Sequence, residues 1–450
     1  MAGISPIDIA VVGAGPAGAA VALALTRLGH AVTVIAVPRA FAACEGVSER
    51  VLRGLADAGL GAALADVPAA TPRSVCWNGE QRAANTEHLL SRRELDRALL
   101  AELRRSGLNV RAERVNALRR ESDGHVALQL GERSLRARLV IDARGRAATR
   151  GGGQRLRGPE TVSLLQRWTG PRTDAGSSCV LSFADGWAWL ACSADGQRYT
   201  QLTLAADAPN MPRRGALATY LCQRLAALPA VADWIAACAV NGPPIARSST
   251  AILHSPLIDR GVIRIGDAAM AVDPLSGNGI FQALSSASVA PAVVNTLLRD
   301  PDGAALAERF YGERVAHIFS RFARIGRDFH RAETRWPQQP FWNARRQWPD
   351  DEPAHDSGTR RLLGVALRPV VDNGFIRERD VVLSSDQPLG VWRVAGVEVA
   401  PLLHGLPANE VQRERILAGR IAAIAGSNGA LAQALRAWFA QYLPPPGPVP

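Results

Sequence analysis

The sequence predicts an α/β protein with three parts: a Rossmann-type nucleotide-binding domain, a β-sheet domain inserted into it, and a small C-terminal α+β domain. A glycine-rich loop directly after the apolar strand Ile7–Val12 indicates the first part. Short alternating strands between Val162 and Ala206 indicate the second part. A chain of 450 residues also exceeds the size at which one hydrophobic core stops growing, so several domains are expected.

The nucleotide-binding start has a strand, a loop, an alanine-rich helix and a second strand in that order. The loop Gly13–Gly18 has the pattern GxGxxG. Gly13 permits the tight turn, Gly15 lets the backbone approach a pyrophosphate, and Gly18 lets the helix pack closely on the strand. The helix N-terminus, including Ala17, offers N–H groups to the phosphates. We therefore expect this loop to bind a dinucleotide.

The end of the second strand lacks the acid that usually holds the adenosine ribose. Ala36 stands where that carboxylate is expected. Arg39 or backbone groups must then take over this contact. The absence weakens the interpretation as a plain NAD site, so other segments must identify the cofactor.

A second motif supplies that identification. It runs from Ile263 to Gly279, and its distinctive residues are Gly266, Asp267, Asp273, Pro274, Gly277, Asn278 and Gly279. This segment resembles the second flavin motif of FAD-dependent monooxygenases of the p-hydroxybenzoate-hydroxylase type, whose relatives include flavin halogenases and geranylgeranyl reductases. The resemblance covers roughly the first 330 residues by motif order.

The resemblance implies a role for each part of this motif. Asp267 would bond the ribityl chain of FAD, and Pro274 would lie beside the isoalloxazine ring. Gly277, Asn278 and Gly279 would begin a helix whose amides face the pyrimidine edge. A helix N-terminus there stabilises the negative charge of reduced flavin.

Two weaker segments resemble the same family. Asp142, in the strand and turn Val140–Arg146, matches a segment near the cofactor, and the alternative for Asp142 is a turn former. Arg92 matches the first arginine of a helix that contacts the flavin side of the cofactor. The alternative for Arg92 is a solvated helix residue.

The predicted sheet domain contains a tryptophan pair. Trp187 and Trp189 are two residues apart on one strand, so they share a face of the sheet. They are similar to part of the halogenase WxWxIP segment, without its Ile-Pro. Trp187 and Trp189 could form a wall between flavin and substrate, or they could be an aromatic pair in the sheet core.

The segment Cys44–Arg50 admits two relatives. Its cysteine, glycine and Ser-x-Arg resemble geranylgeranyl reductases, and its Glu-Gly-x-Ser-x-Arg resembles the maturation flavoproteins of tryptophylquinone enzymes. Those flavoproteins act on quinohaemoprotein amine dehydrogenase and on lysine or glycine oxidases. The stretches 77–79 and 85–87 are closer to the maturation flavoproteins. This resemblance implies a protein substrate, the small subunit of a quinone-cofactor enzyme.

The predicted domain boundaries follow these motifs. The FAD-binding domain comprises residues 1–160 and 245–330, with part of 70–130 joining the sheet domain 161–244. A linker is expected at 331–359 and a small domain at 360–450. The small domain is expected to be winged-helix-like, with a helix over 360–371, strands over 375–383 and 391–394, and helices over 409–425 and 430–442. It would dock the protein substrate, act as a lid or support dimerisation.

Composition excludes several chemistries. All 52 basic residues are arginine, so no mechanism can use a lysine of this chain, including the lysine that flavin halogenases need. The net charge of +11 is spread over the chain, which argues against nucleic-acid binding. The six cysteines show no CxxC pair, so we expect neither a metal site nor disulfides. We expect no membrane span and a cytoplasmic location.

The resemblance implies hydroxylation of a tryptophan side chain through a flavin C4a-hydroperoxide. NAD(P)H would bind transiently as the reductant, and O₂ would be the oxidant. The predicted catalytic residues are Glu45, Trp187 and Pro274, and Glu45, Glu49 and His254 are candidates for a base. The alternatives are a geranylgeranyl-reductase-like enzyme, a hydroxylase of small aromatic molecules and a flavin-bearing DNA-binding regulator.

Overall fold

The computed structural model describes residues 7–39, 41–148, 153–208, 210–212, 214–277, 279–354 and 360–443. The chain divides into two compact units. The first contains residues 1–291 and 315–352, and the second contains residues 292–314 and 353–450.

Helices and strands are interspersed along the first unit, whereas within residues 360–443 of the second unit the strands come before the helices. The helices are α1 Pro16–Arg27, α2 Glu49–Leu55, α3 Arg92–Arg105, α4 Leu217–Ala226, α5 Pro229–Ile235, α6 Gly279–Arg299, α7 Ala304–Arg331, α8 Pro340–Gln347, α9 Ala400–Leu403, α10 Glu410–Ala425 and α11 Gly429–Phe439. The strands are β1 Ile7–Val12, β2 Val32–Ile35, β3 Cys44–Val47, β4 Thr71–Trp77, β5 Glu80–Ser91, β6 Asn109–Arg111, β7 Ala117–Arg120, β8 Val126–Leu130, β9 Arg133–Asp142, β10 Gln154–Arg157, β11 Thr161–Thr169, β12 Ser177–Phe183, β13 Gly186–Cys192, β14 Gln197–Ala205, β15 Ala239–Val240, β16 Ile245–Ser248, β17 Ile252–Ser255, β18 Ile258–Asp259, β19 Val262–Arg264, β20 Met270–Ala271, β21 Leu362–Asp372, β22 Phe375–Ser384, β23 Gln387–Val391, β24 Arg393–Val394 and β25 Val397–Glu398.

The nucleotide-binding sheet has the order β18-β19-β9-β1-β2-β6. Strand β1 pairs in parallel with β2 and with β9, and β9 pairs in parallel with β19. Ile9 to Val12 of β1 are buried, as expected for a strand covered on both faces. The Rossmann-type core is confirmed, and the ends of β1, β9 and β19 bring three sequence motifs to one edge.

The second sheet of this unit has the order β15-β11-β14-β13-β12-β4-β5-β3. Strands β3, β4 and β5 come from the chain before residue 92, and β4 pairs in parallel with β12. Alternate residues of β13 serve two cores: Ala188 and Leu190 face a core with α4 and α5, while Trp187 and Trp189 face an aromatic cluster. The prediction that the two tryptophans share a face is confirmed.

The predicted linker is instead a packed part of the first unit up to Glu352. Helix α8 buries Phe341 and Trp342. The indole N–H of Trp342 donates to the carbonyl oxygens of Phe183 (3.1 Å) and Ala184 (3.0 Å) at the end of β12. Proline and tryptophan, which suggested a linker, are here the residues that dock the segment onto the sheet.

Helix α6 is long and apolar enough to cross a membrane by length and composition, and it passes this test alone among the helices of the described residues. About two thirds of its most apolar window, 67%, is buried inside the protein. Burial in a protein core requires the same apolar composition, so this feature is weak evidence for a membrane span.

The C-terminal part of the second unit, residues 360–443, carries a three-stranded antiparallel sheet in the order β21-β22-β23, a small hairpin and three helices. The predicted helix over 360–371 is wrong, because this segment forms β21. Pro369 would interrupt a helix, whereas the edge strand pairs with β22 over its length. The two C-terminal helices are confirmed, and Asn409 and Asn428 cap their N-termini. Residues 360–443 are thus α+β, with the sheet ahead of the helices.

Candidate active site

In the glycine loop, Gly13 and Gly18 pack against backbone atoms, whereas Gly15 has free space beside it. A Cβ on Gly13 would lie 2.5 Å from the carbonyl oxygen of Ala143, and Gly13 has a φ of +103°. A Cβ on Gly18 would lie 2.0 Å from the carbonyl oxygen of Gly13. A Cβ on Gly15 would meet only the Arg92 guanidinium, at 3.9 Å. Space for a ligand therefore exists at Gly15, and backbone fills the space at the other two glycines.

The N-terminus of α1 lies in this open part. Gly15 is its N-cap, Pro16 follows, and no described side chain caps the helix. The first turn contains Ala17 and Gly18 and carries no acidic residue. Its backbone N–H groups are thus available to an anion, which is the arrangement that binds phosphates.

A chain of ion pairs lies next to the loop. The Arg39 guanidinium is 3.0 Å from the Asp96 carboxylate, and Arg92 contacts Asp96 at 3.3 Å and Glu45 at 3.1 Å. Arg92 is 6% exposed. Burial disfavours its charged form, but Glu45 and Asp96 raise the pKa of Arg92 overall. The predicted residues Arg39, Glu45 and Arg92 are thus brought together beside Gly15.

The second flavin motif meets α1 at Gly266. A Cβ on Gly266 would lie 3.0 Å from the Cβ of Ala17, and its N–H donates to Ser286 of α6 at 2.8 Å. Asp267 follows, with 39% of its side chain exposed. Desolvation raises the pKa of Asp267, while Arg146 at 3.7 Å acts in the opposite direction. Arg146 is a residue of this site that the sequence prediction did not select.

Asp142 lies at the end of β9 with its carboxylate completely buried. Arg144 binds both carboxylate oxygens, at 2.9 and 2.8 Å, and Arg264 of β19 is 3.7 Å away. These pairs tie the ends of two neighbouring strands together below the glycine loop. A direct contact of Asp142 with the cofactor stays a prediction.

Asp273 begins the part of the second flavin motif that is predicted to lie near the isoalloxazine ring. Its carboxylate caps the turn that contains Pro274 by accepting from the N–H of Leu275 at 2.9 Å. Gly277 has a φ of +63°, and a Cβ there would meet no described atom within 4 Å. Helix α6 begins at Gly279, and Asn278 lies outside the described residues.

An aromatic cluster adjoins Leu275. It contains Trp77, Trp187, Trp189, Tyr199, Trp336, Phe341 and Trp342. The indole N–H of Trp189 donates to the buried Glu87 carboxylate at 3.1 Å. The indole N–H of Trp187 is buried and has no hydrogen-bond partner within the described part of the chain. Trp187 as a catalytic residue stays a prediction, while its burial in the cluster beside the motif is plain.

The candidate bases are placed very differently. Glu49 is exposed over 67% of its side chain and lies 3.4 Å from His88. His254 lies on β17 and is buried beside Arg155 of β10. Burial lowers the pKa of His254 to about 4. The sequence prediction did not select His330, whose Nε2 lies 3.3 Å from the Asp273 carboxylate. The sequence gives little indication of this contact, because His330 lies 57 residues from Asp273.

No group of His, Cys, Asp and Glu in the described ranges could hold a metal ion. The open glycine loop, the uncapped helix and the motif at Gly266 fit the pyrophosphate and ribityl parts of FAD. Fold and site together define an FAD-dependent oxidoreductase.

Comparison with known proteins identifies the family. The chain is 44% identical to the structure described as "Peptidyl tryptophan dihydroxylase QhpG essential for tryptophylquinone cofactor biogenesis", which it matches over 97% of its own length and 99% of that chain with a TM-score of 0.80. The chain belongs to the family of FAD-dependent hydroxylases and halogenases.

More distant matches agree with this assignment. Residues 8–172 match the family model "Lycopene cyclase protein". A putative FAD-dependent oxidoreductase, LodB of Marinomonas mediterranea, is 31% identical over 125 residues, which cover 27% of this chain and about a third (32%) of that relative. The flavin-dependent halogenase CmlS is 18% identical with a TM-score of 0.76 over 97% of this chain and 96% of that chain, which shows a shared fold.

Proposed function

We propose that this enzyme hydroxylates a tryptophan side chain of a partner protein during tryptophylquinone biogenesis. The observation that carries the proposal is the 44% identity to a peptidyl tryptophan dihydroxylase over nearly the full length of both chains. The absence of lysine supports hydroxylation over halogenation, because the family's halogenases use a lysine. The partner is proposed to be the small subunit of a quinone-cofactor enzyme, and the reaction to take place in the cytoplasm.

Residues of the glycine loop and of the second flavin motif would together hold FAD. The N–H groups of α1 would bind the pyrophosphate, Arg39 would lie toward the adenosine side, and Asp267 would bond the ribityl chain. Pro274 and the start of α6 would face the isoalloxazine ring. When bound, FAD accepts electrons from NAD(P)H and uses them to activate O₂ for transfer of one oxygen atom.

The chain's own contribution would be to exclude water and to position the substrate indole. The aromatic cluster next to Leu275 supplies apolar walls, and a dry site protects reactive oxygen species from wasteful loss. Trp187 would line this wall. Glu45, paired with Arg92, would keep the charge beside the flavin edge balanced.

The C-terminal unit is proposed to bind the partner protein. Its edge strand β21 presents Leu363, Val365, Leu367 and Val371 to solvent, on alternate positions of one face. Contiguous exposed apolar side chains of this kind are typical of interaction surfaces.

The deciding experiment is co-expression of this chain with the candidate partner, followed by mass spectrometry of the partner. We expect the partner tryptophan to gain oxygen atoms, with NAD(P)H and O₂ consumed in step. A partner in which that tryptophan is replaced by phenylalanine is the control. A partner that stays unmodified while reductant is consumed without O₂ would instead support a reductase.

A further inference from the structure

His330 and Asp273 form a buried pair directly beside the flavin motif. His330 is 1% exposed, and its Nε2 lies 3.3 Å from Oδ2 of Asp273. The other oxygen of Asp273 accepts from the N–H of Leu275, so the carboxylate is held in place from both sides. The next residue, Pro274, is the one that the proposed function places at the isoalloxazine ring.

This pairing determines which ring nitrogen of His330 carries the proton. The pKa of Asp273 is low overall: burial works against ionisation, but His330 and Arg345 favour it. An ionised carboxylate can only accept a hydrogen bond. Nε2 must therefore be the protonated nitrogen, and in the neutral ring Nδ1 carries the free lone pair.

Nδ1 of His330 is a buried acceptor that meets no donor among the described residues. It has no hydrogen-bond partner in the residues that the structure describes. Buried polar atoms are nearly always satisfied, so this acceptor is able to take a hydrogen bond from a substrate group that reaches it. The ring lies edge-on to Phe341 (5.9 Å) and Trp342 (5.6 Å), two members of the aromatic cluster.

The surroundings keep the ring neutral in the resting enzyme. Burial lowers the pKa of His330 below its usual range, and Arg345 and Arg346 add to this, while Asp273 opposes it. Asp273, Arg345 and Arg346 are the charged groups with the largest effects on the ring. A neutral imidazole oriented by a carboxylate is the arrangement of a general base.

We propose that Nδ1 of His330 accepts the indole N–H proton of the substrate tryptophan while oxygen adds to its ring. As the new C–O bond forms, the O–O bond of the activated oxygen breaks, and the second oxygen atom leaves as water with the electrons that NAD(P)H supplies. The indole nitrogen becomes positively charged and its N–H becomes acidic. The N–H bond breaks, its electron pair stays in the indole, and the proton forms the second N–H bond of His330, which returns it to the nitrogen when the ring C–H proton is lost to water and the ring becomes aromatic again. Asp273 stabilises the resulting imidazolium. The oxidant is the O₂ that the proposed function already requires, and the inference rests on that function.

The test is a His330→Gln variant of the full chain with its FAD. The glutamine amide can still donate to Asp273 but lacks a base at the position of Nδ1. We expect bound FAD and NAD(P)H oxidation to persist, hydrogen peroxide to be released, and partner hydroxylation to slow by about 100-fold or more. His30→Gln, a substitution of another buried histidine, is the control and should keep the normal rate.

The outcomes separate the inference from the proposed function. If the unaltered enzyme does not modify the partner, the proposed function fails. If the unaltered enzyme and His330→Gln hydroxylate it equally well, the role of His330 fails alone. A second measurement does not depend on turnover: ¹⁵N spectra of histidine-labelled enzyme should show His330 as the neutral Nε2–H tautomer. A proton on Nδ1 at neutral pH would overturn the proposal.

Discussion

At the glycine loop the decisive contacts are between backbone atoms, whereas around Pro274 they are between side chains from distant parts of the chain. A Cβ on Gly13 or Gly18 would overlap carbonyl oxygens. Around Asp273 the contacts come from α7, α8 and β13, none of which is adjacent to Asp273 in the sequence. Because backbone atoms fill the space beside Gly13 and Gly18, only glycine fits there. The side-chain contacts around Pro274 are compatible with more than one residue type. Each end should therefore respond differently to substitution.

The largest effect is expected for Gly18→Ala. The new Cβ would overlap the carbonyl oxygen of Gly13, and neither backbone segment can move without disturbing the sheet. We expect a loss of more than about 4 kcal/mol in the free energy of unfolding, measured by denaturant titration of the FAD-free protein.

Gly15→Ala is the matched control. Gly15 has a φ of −70°, which alanine adopts readily, and its Cβ would meet only a flexible guanidinium. This variant should fold normally but bind FAD at least tenfold more weakly, a cost of about 1.4 kcal/mol. Equal stability losses in both variants would contradict the distinction between a packed and an open glycine.

At the side-chain end the largest loss of stability is expected for Glu333→Gln. Its carboxylate is completely buried and accepts from Ser182 (2.6 Å), the backbone N–H of Asn78 (2.8 Å) and Arg335 (2.8 Å). It thereby pins the segment ahead of α8 to the large sheet. We expect a loss of about 3 kcal/mol in the free energy of unfolding.

The same residue predicts a pH dependence. Burial works against ionisation, but the hydrogen bonds from Arg335 and Ser182 hold the pKa of Glu333 at about 2, below its usual 4.5. A depressed carboxyl pKa contributes stability that is present above the usual value and lost as the pH falls toward the lowered one. Unfolding between pH 4.5 and 2 should therefore be less pH-dependent in Glu333→Gln. The control is Glu352→Gln, at a carboxylate with a 71% exposed side chain, which should leave the profile unchanged.

The difference between the glycine loop and the region around Pro274 also explains how much of the site the sequence could predict. The glycine loop and the motif at Gly266 were recognisable because backbone geometry demands glycine at fixed spacings. The strand alternation at Trp187 and Trp189 was predictable from its period of two. Each of these signals lies within a short stretch of chain.

Contacts between distant segments left no such signal. His330 meets Asp273 only because α7 returns to the flavin motif, and Glu333 meets Ser182 across 151 residues. The segment 331–352 resembled a linker because its prolines and arginines are common in loops, yet Trp342 is fully buried. Strand β21 resembled a helix because its edge position leaves one apolar face in solvent, which blurs the alternation.

A smaller effect is expected for Asp142→Asn. This variant tests whether the structure next to the glycine loop depends on backbone contacts alone. The carboxylate lies between Arg144 and Arg264 with no exposure, so the amide would remove the negative charge that both arginines contact. We expect a loss of about 2 kcal/mol in the free energy of unfolding. FAD affinity measured in parallel separates a positioning role from direct contact: a weaker affinity with unchanged stability would indicate that Asp142 touches the cofactor. Asp123→Asn, at a surface pair with Arg136, is the control and should change neither quantity.

The smallest effect concerns the tryptophan pair, in which the indole N–H of Trp189 has a hydrogen-bond partner and that of Trp187 has none within the described part of the chain. Trp189→Phe removes the donor to the buried Glu87 carboxylate, while Trp187→Phe removes an N–H group that has no acceptor among the described residues. Both variants lose similar volume, so the difference between them isolates the hydrogen bond. We expect Trp189→Phe to be less stable than Trp187→Phe by about 1 kcal/mol in thermal or denaturant unfolding. If Trp187 is a wall of the substrate site, Trp187→Phe should instead raise the fraction of NAD(P)H oxidised without hydroxylation. Identical stability of the two variants would mean that the Glu87 carboxylate finds another donor, and the ring end would then depend on shape more than on specific polar contacts.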